Sequence, residues 1–187
     1  MTKPEEKNDW YQRFCHYMNL AEELLVPQKQ QLFITYGLAG SGKSTVSQTL
    51  VRERGVIRLR SDIIRKKLHD MEHLDRSASG LNQNIYAPAV TEKVYQLMAE
   101  RTQMIVDAGF SVVVDASFLL RQQREIFFKI AAEKNLPIII LVCAAPYKTL
   151  QTRIELRQAV NRDPSEADLS VLEMQRQSQE LLTKEEL

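Results

Sequence analysis

The stretch GLAGSGKST, residues 37–45, stands directly behind the run QLFITY and ahead of a segment of helical character. No other feature constrains the fold of this chain so tightly. Glycines let the backbone turn so that successive N–H groups point inward, and a helix starting at about Gly42 adds the partial positive charge of its N-terminus. Gly37, Gly42, Lys43 and Ser44 satisfy the spacing GxxxxGK[ST]. A strand before it and a helix after it are the setting in which that spacing makes a phosphate cradle. The candidate binding residues are Gly37, Ala39, Gly40, Ser41, Gly42, Lys43, Ser44 and Thr45. Lys43 is placed to bridge the β- and γ-phosphates and the Ser44 hydroxyl to ligate Mg²⁺, which predicts a nucleoside triphosphate as ligand.

The rest of the chain supplies what such a loop needs around it. Strands are predicted at 31–36, 56–61, 111–115 and 138–143, separated by amphipathic helical segments. Those segments cover about 42–54, a stretch from Asp62, a stretch from Pro88 to Gly109, 121–134, 147–159 and 165–182. Strands alternating with helices predict an α/β fold of parallel strands joined by helical crossovers. In front stands a predicted helix over 8–25, so residues 1–29 read as helix and linker and 30–187 as one domain, with a lid over about 147–170. The stripe Trp10, Phe14, Tyr17, Met18, Ala21, Leu24, Leu25 reads as core contact. The polar segments 74–85 and 158–168 are expected to be the least ordered parts without ligand. Lys and Arg number 25 against 24 Asp and Glu, so no global field gathers a polyanion, and no basic–aromatic stretch offers a channel for nucleic acid. No run approaches the ~18 apolar residues of a membrane span, no signal-peptide core opens the chain, and Cys15 and Cys143 read as two reduced thiols; a cytoplasmic protein is expected.

Three further groups of residues carry chemistry. In RSDIIRKKL, Asp62 and Arg65 are three apart at a helix start and share a face beside the carboxyl end of the second strand. A carboxylate there can accept a hydroxyl proton and an arginine can hold an anion, although Asp62 could also simply cap the helix. In VVVDAS, Asp115 ends an apolar strand, where it is suited to hold a water of Mg²⁺ or the Ser44 hydroxyl. In TLQTRIELRQAVNRDP, Arg153 and Arg157 form an i,i+4 pair and Arg162 follows, a set that could close over phosphates or lie on a solvated face. His69 and His73 are four apart but lack a further ligand cluster, so no metal site is expected there.

Taken together, GLAGSGKST, RSDIIRK, YAPAVTEKVY, SVVVDASFLLRQQR, CAAP and SEADLSVLEMQ resemble the small P-loop kinases grouped with the kinase domain of phage polynucleotide kinase, gluconate kinase and zeta toxins. The resemblance covers residues 31 to about 175. It is strongest to the ATP-binding kinase-like domain that bacteria often carry fused behind an aminoglycoside-phosphotransferase-like domain, and the opening YQRFCHYMNLAEELL looks like the connecting helix of such fusions. The resemblance implies ATP and Mg²⁺ as cofactors, Asp62 as general base, Arg65 against the reacting phosphate or acceptor, and Arg157 with Arg153 as lid arginines. It also implies a sheet of order 2-3-1-4-5, but only four strands can be found. A three-layer P-loop fold of order 2-3-1-4 is therefore expected, its fourth strand an open edge covered by the N-terminal helix, a second copy or a fused or separate domain. Without a fifth strand the selectivity for adenine over guanine should be weak. The leading functional expectation is a phosphotransferase acting on a hydroxyl of a small acceptor. A regulatory nucleotide-binding module is the first alternative and a polynucleotide 5′-hydroxyl kinase the second. No Asn-Lys-x-Asp motif points to a guanine switch.

Overall fold

The computed structural model describes residues 4–25, 29–68, 86–160, 165 and 167–186. Eleven elements follow in order: α1 (Pro4–Leu25), β1 (Leu32–Tyr36), α2 (Lys43–Arg54), β2 (Ile57–Arg60), α3 (Ser61–Lys67), α4 (Pro88–Asp107), β3 (Val112–Asp115), α5 (Arg121–Glu133), β4 (Ile138–Val142), α6 (Tyr147–Val160) and α7 (Leu169–Ser178). The four strands form one parallel sheet in the order β2-β3-β1-β4, as the apolar runs predict. β1 and β3, the two central strands, are buried along their whole length, which is why LFITY and VVVD read as apolar runs rather than alternating ones.

Register decides what faces what. Leu32 pairs with Val112 and Ile34 with Val114, and these four side chains form one core with Val94 and Met98 of α4 and Phe127 and Ile130 of α5. Phe33 and Val113 point to the other face, where Leu50 and Val51 of α2 cover them. The chain leaves β1 through α2 to reach β2, then returns to β3 and crosses over β1 to β4. The switch of direction falls between β1 and β3, whose carboxyl ends open a crevice. A third apolar cluster lies beyond that crevice: Leu150 and Ile154 of α6 and Val171 and Leu172 of α7 pack on Ala39 of the glycine loop.

Helix ends follow local chemistry. Pro88 takes the first turn of α4, where its missing N–H costs nothing. α5 ends in a Schellman motif: Asn135 takes φ 51°, its N–H meets Ala132 O at 3.1 Å, and the Leu136 N–H meets Ala131 O at 2.8 Å.

Two expectations need correction. The predicted helix over 165–182 is shorter, because Asp168 caps α7 by accepting from the Val171 N–H at 2.9 Å and the chain straightens after Ser178. Residues 179–183 beyond it have no regular secondary structure and residues 184–186 form a turn, held by bonds to other elements; the Glu180 N–H, for example, donates to Leu119 O at 2.9 Å. The aromatic stripe of α1 is not core contact: Trp10 is 67% exposed and Tyr17 68%, and Phe14 and Met18 are exposed as well. β4 is correspondingly an edge strand whose Ile139 and Val142 remain exposed. The two cysteines are free as expected, Cys143 buried and Cys15 half-buried. The loop 74–85, His69, His73, Arg162 and, within 158–168, residues 161–164 and 166 lie outside the described residues. Among the described residues no helix is long and apolar enough to cross a membrane.

Candidate functional site

The glycine loop runs from the end of β1 to the start of α2 and turns through positive φ at Gly37 (152°), Gly40 (78°) and Gly42 (98°). Two of these positions also need glycine for space. A Cβ on Gly37 would sit 2.2 Å from the Cys143 carbonyl oxygen, and one on Gly40 would meet the Leu150 carbonyl oxygen at 2.9 Å. The loop therefore lies against backbone on both flanks. Residues Ala39 to Thr45 line a cavity of about 1070 Å³ at the carboxyl end of the sheet.

Lys43 is half-buried at the start of α2, with its Nζ donating to Leu38 O at 2.7 Å. Burial lowers its pKa below the usual lysine value, while the carboxylates of Asp115 and Asp62 pull in the opposite direction. The two carboxylates favour its ammonium form, while burial and the positive charge of Arg157 oppose it. Ser41 Oγ, buried in the loop, has no protein partner among the described residues. A preformed cradle with a sequestered cation and an unsatisfied hydroxyl fits the phosphates of a nucleotide.

Asp115 sits at the end of β3 and is buried. Its Oδ2 accepts from Ser47 Oγ at 2.9 Å, not from Ser44, and Arg60 Nε and Arg58 Nε stand 3.7 and 4.0 Å away. The parallel register that pairs Arg60 with Asp115 brings these charges together, and α2 lays Ser47 over the carboxylate. Asp115 and Ser44 both line the cavity. One hydroxyl and one carboxylate suit a Mg²⁺ ion that takes its other ligands from phosphate and water.

On the opposite wall, α3 starts immediately at the end of β2. Its N-cap is Arg60, so Asp62 lies inside the first turn and is not the cap. Asp62 and Arg65 both line the cavity. The Arg65 guanidinium is buried over the ring of Tyr86, 4.8 Å from its centroid, and its Nη1 donates to Thr91 Oγ1 at 3.2 Å. From the third side come the helices after β4. Arg153 Nη1 donates to Gly40 O at 3.1 Å, and Arg157 Nη2 to Ala167 O at 2.6 Å. The Arg157 Nε is buried without a partner among the described residues.

All of the candidate residues from the loop to Arg157, except Gly37, line this one cavity. Gly37 is buried against Cys143, where its positive φ sets the turn. The sequence reading missed four contributors. Ser47 hides among polar residues of α2, and Arg58 and Arg60 read as a half-exposed alternation. Gln175 of α7, whose Oε1 accepts from the Ala39 N–H at 2.8 Å, carries no motif at all. Only the i−3 relation of Ser44 to Ser47, which puts both near one helix face, offered a signal.

Comparison with known proteins bears on the family and the fold. The model of the family described as AAA domain matches residues 32–182. Uncharacterized proteins of Mycobacterium bovis and Mycobacterium tuberculosis are 25% identical over 161 residues, 86% of this chain and 32% of theirs. The chain thus spans about a third of the length of the curated relatives it matches. Among solved structures it is similar to a gluconokinase from Sinorhizobium meliloti, with a TM-score of 0.56, 18% identity, and 82% of this chain and 77% of that one covered. It is similar also to the Mycobacterium tuberculosis APS kinase in complex with AMPPNP and APS, with a TM-score of 0.53, 22% identity, and 72% and 73% covered. The fold is that of a P-loop kinase-like domain.

Proposed function

The chain belongs to the AAA domain family, and on that premise we propose that it is an ATP- and Mg²⁺-dependent phosphotransferase acting on a hydroxyl of a small acceptor. The observation that carries this reading is the single cavity that gathers Lys43, Ser44, Asp62, Arg65, Asp115, Arg153 and Arg157 at the carboxyl edge of the sheet. The loop amides and Lys43 would hold the β- and γ-phosphates, and Ser44 with Asp115 would hold the Mg²⁺ ion, which neutralises charge on the phosphate oxygens when bound.

Asp62 faces the loop across the cavity and acts as general base. The acceptor oxygen forms its bond to the γ-phosphorus while the bond from that phosphorus to the β,γ-bridging oxygen breaks. The hydroxyl proton passes to the Asp62 carboxylate and ADP leaves with the electron pair. Arg65 and the arginines of α6 meet the charge on the transferred group, and their closure excludes water. Near-balanced charge favours a small acceptor over a polyanion.

The test is Asp62→Asn in an acceptor screen with labelled ATP. Transfer should fall by about 10²–10⁴-fold with nucleotide affinity nearly unchanged. A variant that keeps its rate on the true acceptor shows that Asp62 is not the base. Transfer to 5′-hydroxyl oligonucleotides at low salt would overturn the preference for a small acceptor.

A further inference from the structure

We propose that Gln175 is a positioning residue that sets the phosphate-binding loop for its ligand, and that residues 175–186 form a strap tied down by Arg124. The inference rests on the nucleotide-binding part of the function proposed above and is independent of the acceptor.

The loop is gripped on both sides of one peptide unit. The Ala39 N–H is met by Gln175 Oε1 at 2.8 Å from α7, and the Gly40 carbonyl by Arg153 Nη1 at 3.1 Å from α6. Ala39 is buried, with its methyl among Leu150, Ile154, Val171 and Leu172, so this part of the loop is docked on α6 and α7. Gln175 lies one turn after Val171 and Leu172 on the same helix face.

One turn further on, the strap reaches the residue that enters the loop. Gln179 Nε2 donates to Tyr36 Oη at 2.7 Å, and Tyr36 Oη donates to Glu180 O at 3.1 Å. Gln175 and Gln179 thus hold the loop at Ala39 and just before Gly37. Beyond them the chain is anchored. Glu180 N–H donates to Leu119 O, and the Glu180 carboxylate accepts from the Arg121 N–H. Arg124 is fully buried; its Nε and Nη2 donate to Glu186 Oε1 and Oε2 at 2.6 and 3.1 Å, and its Nη1 to Phe118 O at 3.0 Å and Glu180 O at 3.4 Å. The guanidinium also lies 5.6 Å from the centroid of the Tyr36 ring. A continuous set of bonds therefore runs from a buried ion pair to an amide of the loop.

The physical need is clear. A loop with glycines at three turning positions has many alternative conformations, and phosphate recognition requires its amides to converge before the ligand arrives. A carbonyl acceptor on a packed helix removes that freedom at Ala39 and satisfies a buried donor.

The test compares wild type with Gln175→Met, which keeps length and loses the acceptor. Two probes are titrated by calorimetry, Mg–AMPPNP and inorganic tripolyphosphate. Both affinities should fall by about tenfold and by the same factor, because the fault lies in the phosphate seat and not in base recognition. The melting temperature without ligand should move by no more than a few degrees. In parallel, hydrogen exchange of the ligand-free proteins should show the Ala39 amide protected in wild type and exposed in the variant. Equal binding by the two proteins overturns the proposal. Tighter binding by Gln175→Met also overturns it, since Gln175 would then be competing with phosphate. Failure of wild type to bind either probe sinks this proposal and the proposed function together.

Discussion

Replacing Glu186 by Gln should cost this protein much of its stability, and the cost should disappear in acid. Arg124 is 0% exposed, and Glu186 provides both oxygens of a two-point carboxylate grip on its guanidinium. Removing one partner of such a buried pair costs about 3–5 kcal/mol, because the remaining charge stays desolvated. Here the amide keeps one acceptor oxygen, and the Phe118 and Glu180 carbonyls still accept from Nη1. A loss of about 2–3 kcal/mol at pH 7 is therefore expected, or about 5–10 °C in melting temperature for a domain of this size.

The pH dependence gives the sharper test. The hydrogen bonds from Arg124 hold the Glu186 carboxyl below its usual 4.5, helped by the Thr183 N–H and partly opposed by burial. A depressed carboxyl stabilises the fold fully above the unfolded value and loses that contribution as pH falls through the folded value. The gap between wild type and Glu186→Gln should stay constant from neutral pH down to about 5 and close below that. Urea unfolding followed by circular dichroism across that range measures it. A gap of less than about 0.5 kcal/mol at pH 7, within the ordinary scatter of surface substitutions, would refute the reasoning. So would a gap that persists unchanged once Glu186 is protonated. Arg124→Met combined with Glu186→Met should recover much of the loss, because an apolar pair leaves no buried charge.

Lys43→Met should abolish nucleotide binding yet raise the stability of the ligand-free protein by about 1 kcal/mol, because a partly desolvated ammonium is replaced by a thioether. That gain should shrink as pH rises and Lys43 sheds its proton, a trend that denaturation at pH 7 and above pH 9 would reveal. Gly37→Ala should disrupt the loop far more than Gly42→Ala. The first Cβ would strike a carbonyl oxygen at 2.2 Å, whereas the second meets nothing closer than Arg153 Nη1 at 3.9 Å and carries only the strain of its φ. Calorimetric titration with Mg–AMPPNP of both variants would measure the difference. Asn135→Gly, at φ 51° in the Schellman turn after α5, should be neutral or stabilise by a few tenths of a kcal/mol, and thermal melting checks it. Mg–ATP and Mg–GTP should bind with comparable affinity, since β4 has no further strand beside it among the described residues; a large preference in competition titrations would sink that expectation.

What the amino-acid sequence determined by itself is local or periodic. The spacing of Gly37, Gly42, Lys43 and Ser44 behind an apolar run specifies a phosphate loop because glycine conformations and a helix N-terminus are properties of a few neighbouring residues. The apolar runs of β1 and β3 specify strands buried on both faces of a parallel sheet, which has four strands among the described residues. Asp62 and Arg65 were legible because three-residue spacing on a helix places both on one face. Tertiary structure decided what depends on register and on long-range partners. Asp115 meets Arg58 and Arg60 because β2 and β3 align in one register, and Ser47 because α2 packs over β3, which no spacing along the chain encodes. Gln175 reaches Ala39 across 136 positions of sequence, and Glu186 reaches Arg124 across 62. The tail after Ser178 looked helical because its own residues favour helix, yet bonds to Tyr36, Leu119 and Arg124 hold it out of a helix. The stripe on α1 looked like core for the same reason in reverse: periodicity shows that a helix has an apolar face, and only the packed structure shows whether anything covers it.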